Sequence, residues 1–484
     1  LYVAKLTGKI IDPSTGATVQ ARVQVLSPNG LQLAPEDAMW KVGTGEPFFY
    51  SNGDFSLDVP RGQIRITVER GTEYRPWTGT VSVDHASETV ALDINLERWT
   101  DLPDRGWHPG NTHIHYDEKE EKPDERLRYD SRVEDLRMTA VSILRRWDLN
   151  YATNKYPLGV LNDYTDTHHH VQVGEENRHN DKDGWSRGYG HVMFLNIRNI
   201  VDPISRGALI DTFDPDYPPL SWACDDARDQ DGLVIWCHNG QGMEAPVAAV
   251  LGKVDAINLF DPYWNDVEYD IWYRMLNCGI KMPASTGSDW FVCSANRIYS
   301  QTGGAFSYDD WLAGIKRGET FITNGPAISI SVDGSPPGST VQVSAGGTTH
   351  VKVDWSSHYS VDTIEIVQDG SVVKRVSTDA SNATAGSLEA DIQVGADGWI
   401  AARLGSTQRD SFAQALWAHT SAVYIDAGGK KSDAQAASAA LFVRDIEDSM
   451  VWVKTKGRFY TDAQRADVVD LFGQGLDVYK GLVG

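Results

Sequence analysis

Two histidines stand one residue apart in the stretch "GWHPGNTHIH", just before a run of acids. Side chains two apart on a strand share a face, so His113 and His115 point one way and Ile114 the other. Imidazole pairs of this kind suit a divalent metal ion. A strand end running into a solvated acidic loop, "DEKEEKPDE", explains the same letters. The chain offers further candidates downstream. Glu175 and Glu176 close a β-like run in "VQVGEENRH", and His191 opens "GHVMF". His238 ends the very apolar "LVIWCHN", and Asp289 follows the small-residue turn in "ASTGSD". An apolar strand that ends in His or Asp sets an expensive polar group beside a core unless that group has a partner. Together these ends supply imidazoles and carboxylates for two metal ions.

The elements that must position these residues can be read from hydrophobic periodicity. Residues 1–105 alternate apolar and polar positions, with Phe55, Leu57 and Val59 on one face and Ile64, Ile66 and Val68 on another. This pattern predicts an antiparallel β-sandwich. From 106 to 325 short apolar runs alternate with helix-like segments, which implies a parallel sheet or barrel with its chemistry at strand ends. Within it, "RVEDLRMTAVSILRRWDLN" has helical spacing at Val133, Leu136, Ala140, Leu144 and Trp147. Strands return over 326–428 as a second β-sandwich, with Asp369-Gly370 suited to a tight hairpin. Residues 429–484 read as a pair of helices. Ser432 with Gln435 and Thr461 with Gln464 fit capping boxes. Phe442, Ile446, Met450 and Val453 form an apolar stripe that predicts packing on another domain.

Composition narrows the classes of partner. Lys plus Arg number 44 against 67 Asp plus Glu, a net charge of −23 that repels nucleic acid and anionic membranes. No apolar run is long enough to span a bilayer. The sequence starts at Leu1 without a signal-type segment. The reading is therefore a mature form, secreted or periplasmic with its signal removed, or otherwise cytoplasmic. Cys224, Cys237, Cys278 and Cys293 show no CxxC pair and read as buried thiols. The His168–His170 tract lies in a polar segment and reads as solvated, and His108 and His179 read as peripheral to any metal site. Asn382-Ala383-Thr384 is a glycosylation sequon in form only.

The order H-x-H, G-x-E, G-H, an apolar strand to His, then G-S-D resembles the PHP (polymerase and histidinol phosphatase) metal-dependent hydrolases. "GSDWFVCSANRIY" and "RGETFITNGPAISISVDG" are similar to the CehA/McbA-type members of that group. The resemblance implies an α/β fold built on a distorted seven-stranded β/α barrel, with metals at the C-terminal ends of its strands. It implies one ion held by His113, His115, Glu176 and Asp289, with Glu176 bridging to a second ion held by His191 and His238. Glu176 fits the G-x-E spacing from Gly174, which leaves Glu175 to pair with Arg178.

The sequence departs from the family pattern where a third metal would be held. Trp290 follows Asp289, and the expected acidic tip reads "YATNKYPLG". Two divalent ions (Zn, Mn or Fe) are therefore expected. Lys155 either replaces the missing charge and holds an anionic substrate oxygen, or is a solvated loop lysine. Arg297 either clamps an anionic group or forms an internal ion pair, and Asn324 either sits at the rim or makes a turn. No G-x-S-x-G elbow occurs, so the expected nucleophile is water activated between the two ions. The expected activity is hydrolysis of a small-molecule ester, phosphoesters first and carboxylic or carbamate esters second. A glycan- or protein-binding module without catalysis is the third reading. A homo-oligomer is compatible with all three.

Overall fold

A computed structural model describes residues 3–182, 188–260 and 268–483. Its first part follows from the alternation in the sequence. Strands Val3–Ile11, Asp54–Pro60 and Thr89–Asn95 form one sheet. Strands Ala21–Leu26, Gln32–Leu33, Gly62–Glu69 and Trp77–Val83 form a second, with Phe49–Ser51 attached to Ala21–Leu26. Phe55, Leu57 and Val59 are buried while the residues between them are exposed, and they share one apolar core with Leu6, Val23 and Ile66. Each face was therefore assigned by period-2 patterning.

The central part is a curled half-barrel sheet. Trp107–His115 runs parallel to Met138–Ile143, which runs parallel to His170–Asn180. Gly190–Leu195 then lies antiparallel to both of its neighbours, His170–Asn180 and Leu233–Trp236. Parallel pairing resumes from Leu233–Trp236 to Ala256–Asn258 and on to Ala284–Ser285. The sheet is thus mixed rather than parallel. The reversal has a consequence for function: a residue at the start of Gly190–Leu195 lands at the edge where the parallel strands end.

One stretch differs from its periodicity. The helix expected through Val133, Leu136, Ala140 and Leu144 instead spans Pro123–Val133 and stops there. Asp135 turns the chain in the left-handed region (φ 53°), and Met138–Ile143 is a strand with every residue buried. A strand covered on both faces is apolar throughout, so its spacing also fits a helical template.

The later strands are joined to this sheet rather than set apart from it. Thr320–Thr323 pairs with Ala415–Thr420, so the hydrogen-bonded network crosses the expected boundary at 325. Tyr299 and Phe321 share a core with Ile330, Val353 and Ile400. The hairpin between Thr363–Gln368 and Ser371–Ser377 turns at Asp369 and Gly370, both at positive φ, as its sequence requires. Seven α-helices occur among the described residues. The last two, Asp433–Thr455 and Asp462–Val483, start as expected: Gln435 N donates to Ser432 Oγ and Gln464 N to Thr461 Oγ1. Phe442, Ile446 and Val453 are buried, with Met450 at the stripe's edge, and Phe472 and Tyr479 enter the central core. Tyr479 Oη donates to the Pro246 carbonyl. No helix among the described residues is long and apolar enough to cross a membrane.

Candidate metal centre

The strand ends converge on two groups of donors that could hold metal ions. His113, His115, Glu176 and Asp289 form one group, and Glu176, His191 and His238 form the other. Within each group the donor atoms lie within 4.8 Å of one another. Glu176 belongs to both, and its two oxygens divide between them. Oε2 faces His113 Nε2 at 3.2 Å and His115 Nε2 at 2.7 Å. Oε1 faces His191 Nδ1 at 3.1 Å and His238 Nε2 at 3.7 Å. Asp289 Oδ1 lies 3.2 Å from His113 Nε2.

Local geometry explains why these side chains meet. Ile114 points into an apolar cluster with Leu127 and Val141, which leaves His113 and His115 on the opposite face. Residue His191 stands opposite Arg178 in the antiparallel pair and beside Cys237, whose N–H donates to the His191 carbonyl. It therefore reaches the centre from the start of a strand, whereas Glu176 reaches it from within its strand and His238 from just past a strand end. Gly287 allows the Asp289 loop to approach, because a Cβ there would lie 2.6 Å from His113 Cβ. His238 and Asp289 both adopt left-handed backbone (φ 54° and 58°). Such conformations cost about 1–3 kcal/mol each and persist where surrounding structure imposes them.

The donor set fits divalent cations. Glu176 Oε1 faces His191 Nδ1 and Asp289 Oδ1 faces His113 Nε2, but neither buried oxygen makes a well-formed hydrogen bond, and a buried carboxylate oxygen without a donor is costly. A cation at each group would take the place of that donor. The tautomers are also ordered: His115 Nδ1 donates to the Ser142 carbonyl, and His191 Nε2 donates to Asn180 Oδ1. Their other ring nitrogens are thereby turned toward Glu176, as outer hydrogen bonds do for metal-ligating imidazoles. Protonation is favourable as well. Burial, helped by the Arg178 guanidinium, pushes His191 down to about 3, and burial lowers His115. Burial opposes ionisation of Glu176, but Arg178 and His113 outweigh it and hold the carboxyl well below its usual range. Neutral imidazoles beside an ionised carboxylate are the forms that bind metal.

All six expected ligands come together; the two expected cationic residues do not join them. Lys155 is exposed and pairs with Asp124 at 2.8 Å. Its flanking residue Asn154 bonds the Leu144 backbone, which turns the lysine toward the Pro123–Val133 helix. Arg297 is buried on a strand whose residue Ile298 pairs with Gly110, five residues before His115. Its guanidinium donates to the Glu134 carbonyl and carboxylate, and Glu134 also receives Arg22 from the first sheets. Arg297 is therefore part of a buried ion cluster. Asn324 is buried and bonds Asp410 and the Ala415 and Trp417 backbone, so it makes a junction and not a rim.

The remaining sequence candidates divide by strand face. Glu175 does not pair with Arg178. It accepts from Val201 N and from Asn177 Nδ2 on the opposite face of its strand. His179, on that same face, contacts Asp216 at 2.9 Å and stacks on Tyr189. The triple-histidine tract is only partly solvated: His168 is exposed, whereas His169 is buried and donates to the Leu136 carbonyl, and His170 stacks on Tyr308. His108 donates to the Gly304 carbonyl. No disulfide joins the four buried cysteines.

Two residues stand near the centre whose place there the sequence did not mark: Arg178, expected beside Glu175, and Tyr151. Arg178 is buried, follows Glu176 by two positions and bonds its carboxylate. Tyr151 packs its ring, tilted, against both His115 (5.0 Å) and Trp290 (4.9 Å). Period-2 spacing from Glu176 was a usable signal for Arg178. Nothing local marked Tyr151. In comparisons with known proteins, no family model matches the chain and no curated protein matches it.

Proposed function

We propose that the chain is a metal-dependent hydrolase of ester bonds, phosphoesters first, working with two divalent ions (Zn, Mn or Fe). The observation that carries this reading is the division of Glu176: each of its oxygens faces a different set of histidines. When bound, paired ions lower the pKa of water and neutralise charge developing on an ester's oxygens. The chain's residues would do the rest. His113, His115 and Asp289 would hold one ion, His191 and His238 the other, and Glu176 both. Ser142 and Asn180 fix the imidazole tautomers, and Tyr151 with Trp290 walls one side against water. The order of motifs resembling the PHP and CehA/McbA hydrolases supports the same reading. It also supports taking the curled sheet as their seven-stranded barrel, with sandwich domains at 1–105 and 326–428 and a helical segment at 429–484.

The test combines metal analysis with a substrate panel. Mild purification should return about two ions per chain. Aryl phosphate mono-, di- and triesters should turn over, and aryl carboxylates or carbamates should be slower. Faster cleavage of the carboxylates or carbamates would move the assignment to those bonds. No turnover with added Mn, Zn, Fe or Co would overturn it in favour of binding alone.

A further inference from the structure

Of the residues around the donor groups, His113, His115 and Glu176 have side chains with no solvent exposure. Those that reach solvent are Asp289 (7 %), His191 (7 %), His238 (10 %) and Arg178 (5 %). Arg178 is thus exposed to a similar small degree as these ligands. Its guanidinium carries five N–H donors in a planar fork. One of its nitrogens bonds Glu176 Oε2, and Nε is buried with no hydrogen bond. A buried guanidinium with spare donors is costly unless an acceptor is supplied. Tyr151 lies within electrostatic reach of Arg178, and its buried hydroxyl sits beside Arg146 as an acceptor, which leaves its own O–H to donate. The neighbouring Arg146 is occupied by Asp148.

We infer that Arg178, with the Tyr151 hydroxyl beside it, is an anion-binding subsite for a non-bridging oxygen of a charged phosphoester. This inference rests on the hydrolase reading and narrows it. A guanidinium placed next to a cationic centre has little use for a neutral carboxylic or carbamate ester. A phosphate mono- or diester brings a negative oxygen that matches the fork in both geometry and charge. Arg178 takes the role considered for Lys155, which pairs with Asp124 at the surface, and for Arg297, which is held in a buried pair with Glu134.

Inorganic phosphate is the direct probe. Metal-loaded wild-type protein, Arg178→Met and Arg178→Lys would be compared by metal analysis, by phosphate titration calorimetry, and by kcat/KM on a charged aryl phosphate and a neutral aryl carboxylate. Arg178→Met should keep its ions and lose phosphate affinity about tenfold or more, the size of one charge-assisted hydrogen bond. It should lose kcat/KM on the phosphate by a larger factor than on the carboxylate, and Arg178→Lys should recover part of both. Tyr151→Phe should weaken phosphate binding less. Unchanged phosphate affinity in Arg178→Met, or equal losses on both substrates, would overturn the assignment. Loss of the ions from Arg178→Met would overturn it too, by making Arg178 a group that positions Glu176. A wild-type protein that holds no ions would instead sink the hydrolase reading itself.

Discussion

The strand His170–Asn180 carries nearly the same chemistry on both faces, and the two faces do different things. Glu176, Arg178 and Asn180 point to the metal centre, where the carboxylate faces four imidazoles and the amide orients one of them. Glu175, Asn177 and His179 point the other way. There the carboxylate accepts a backbone N–H, the amide reaches Val201, Pro203 and Arg206, and the imidazole meets Asp216. Both faces are buried, so burial does not distinguish them. The difference is satisfaction. On the second face each carboxylate oxygen of Glu175 has a hydrogen bond, whereas on the first Glu176 Oε1, and Asp289 Oδ1 from the neighbouring loop, face imidazole nitrogens without a well-formed hydrogen bond. A closed network is structure; an open one marks where a cation fits.

Substitutions on the two faces should therefore separate metal binding from stability. The largest contrast is expected between Glu176→Gln and Glu175→Gln. The first should lose both ions and all turnover above background; the second should keep the ions and show only a lowered melting temperature. Arg297→Met sharpens the same contrast from outside the strand. Removing one partner of the buried cluster with Glu134 and Arg22 should cost about 3–5 kcal/mol of stability in denaturant titrations, with metal content unchanged. Loss of ions from Arg297→Met would return that residue to the site.

Asn180→Ala and Asn177→Ala come next. Asn180→Ala frees the His191 tautomer and should weaken metal affinity about 10–100-fold, measured by chelator competition. Asn177→Ala should leave that affinity alone and destabilise by about 1–3 kcal/mol, because Glu175 and Arg206 each lose a partner.

The smallest effect concerns a histidine that looks like a ligand and is not one. Burial pushes His169 down to about 4, while in the unfolded chain it takes up a proton near 6.5. Acid therefore favours the unfolded chain across that window, and stability falls as pH drops from about 6.5 toward 4. The contribution is about 1.4 kcal/mol at pH 5.5. His169→Gln should flatten this part of the stability–pH curve without altering metal content; an unchanged slope would contradict the assignment.

Much of the centre was legible because strand physics is short-ranged. His113 and His115 share a face by period 2, and His238 and Asp289 were conspicuous as polar ends on apolar runs. The partner of each acid was less legible. Glu175 and Arg178 look like neighbours in sequence, yet on a strand they face apart, and it is Glu176 that shares the face of Arg178. The same rule applied two residues further along would have found Arg178. The choice between the two readings of Lys155, and of Arg297, was not legible because their partners, Asp124 and Glu134, come from a distant helix and its end. The strand Met138–Ile143 hid in a helical pattern because both of its faces are covered. The reversed direction of Gly190–Leu195 leaves no local mark, although it is what delivers His191.

The central claim is that Glu176 is the shared ligand of a two-ion centre. Its most direct test is metal stoichiometry by mass spectrometry for the wild type, Glu176→Gln and Glu175→Gln, purified side by side. About two ions per chain are expected in the wild type and in Glu175→Gln, and none in Glu176→Gln. Retention of both ions by Glu176→Gln, or their loss from Glu175→Gln instead, would contradict it.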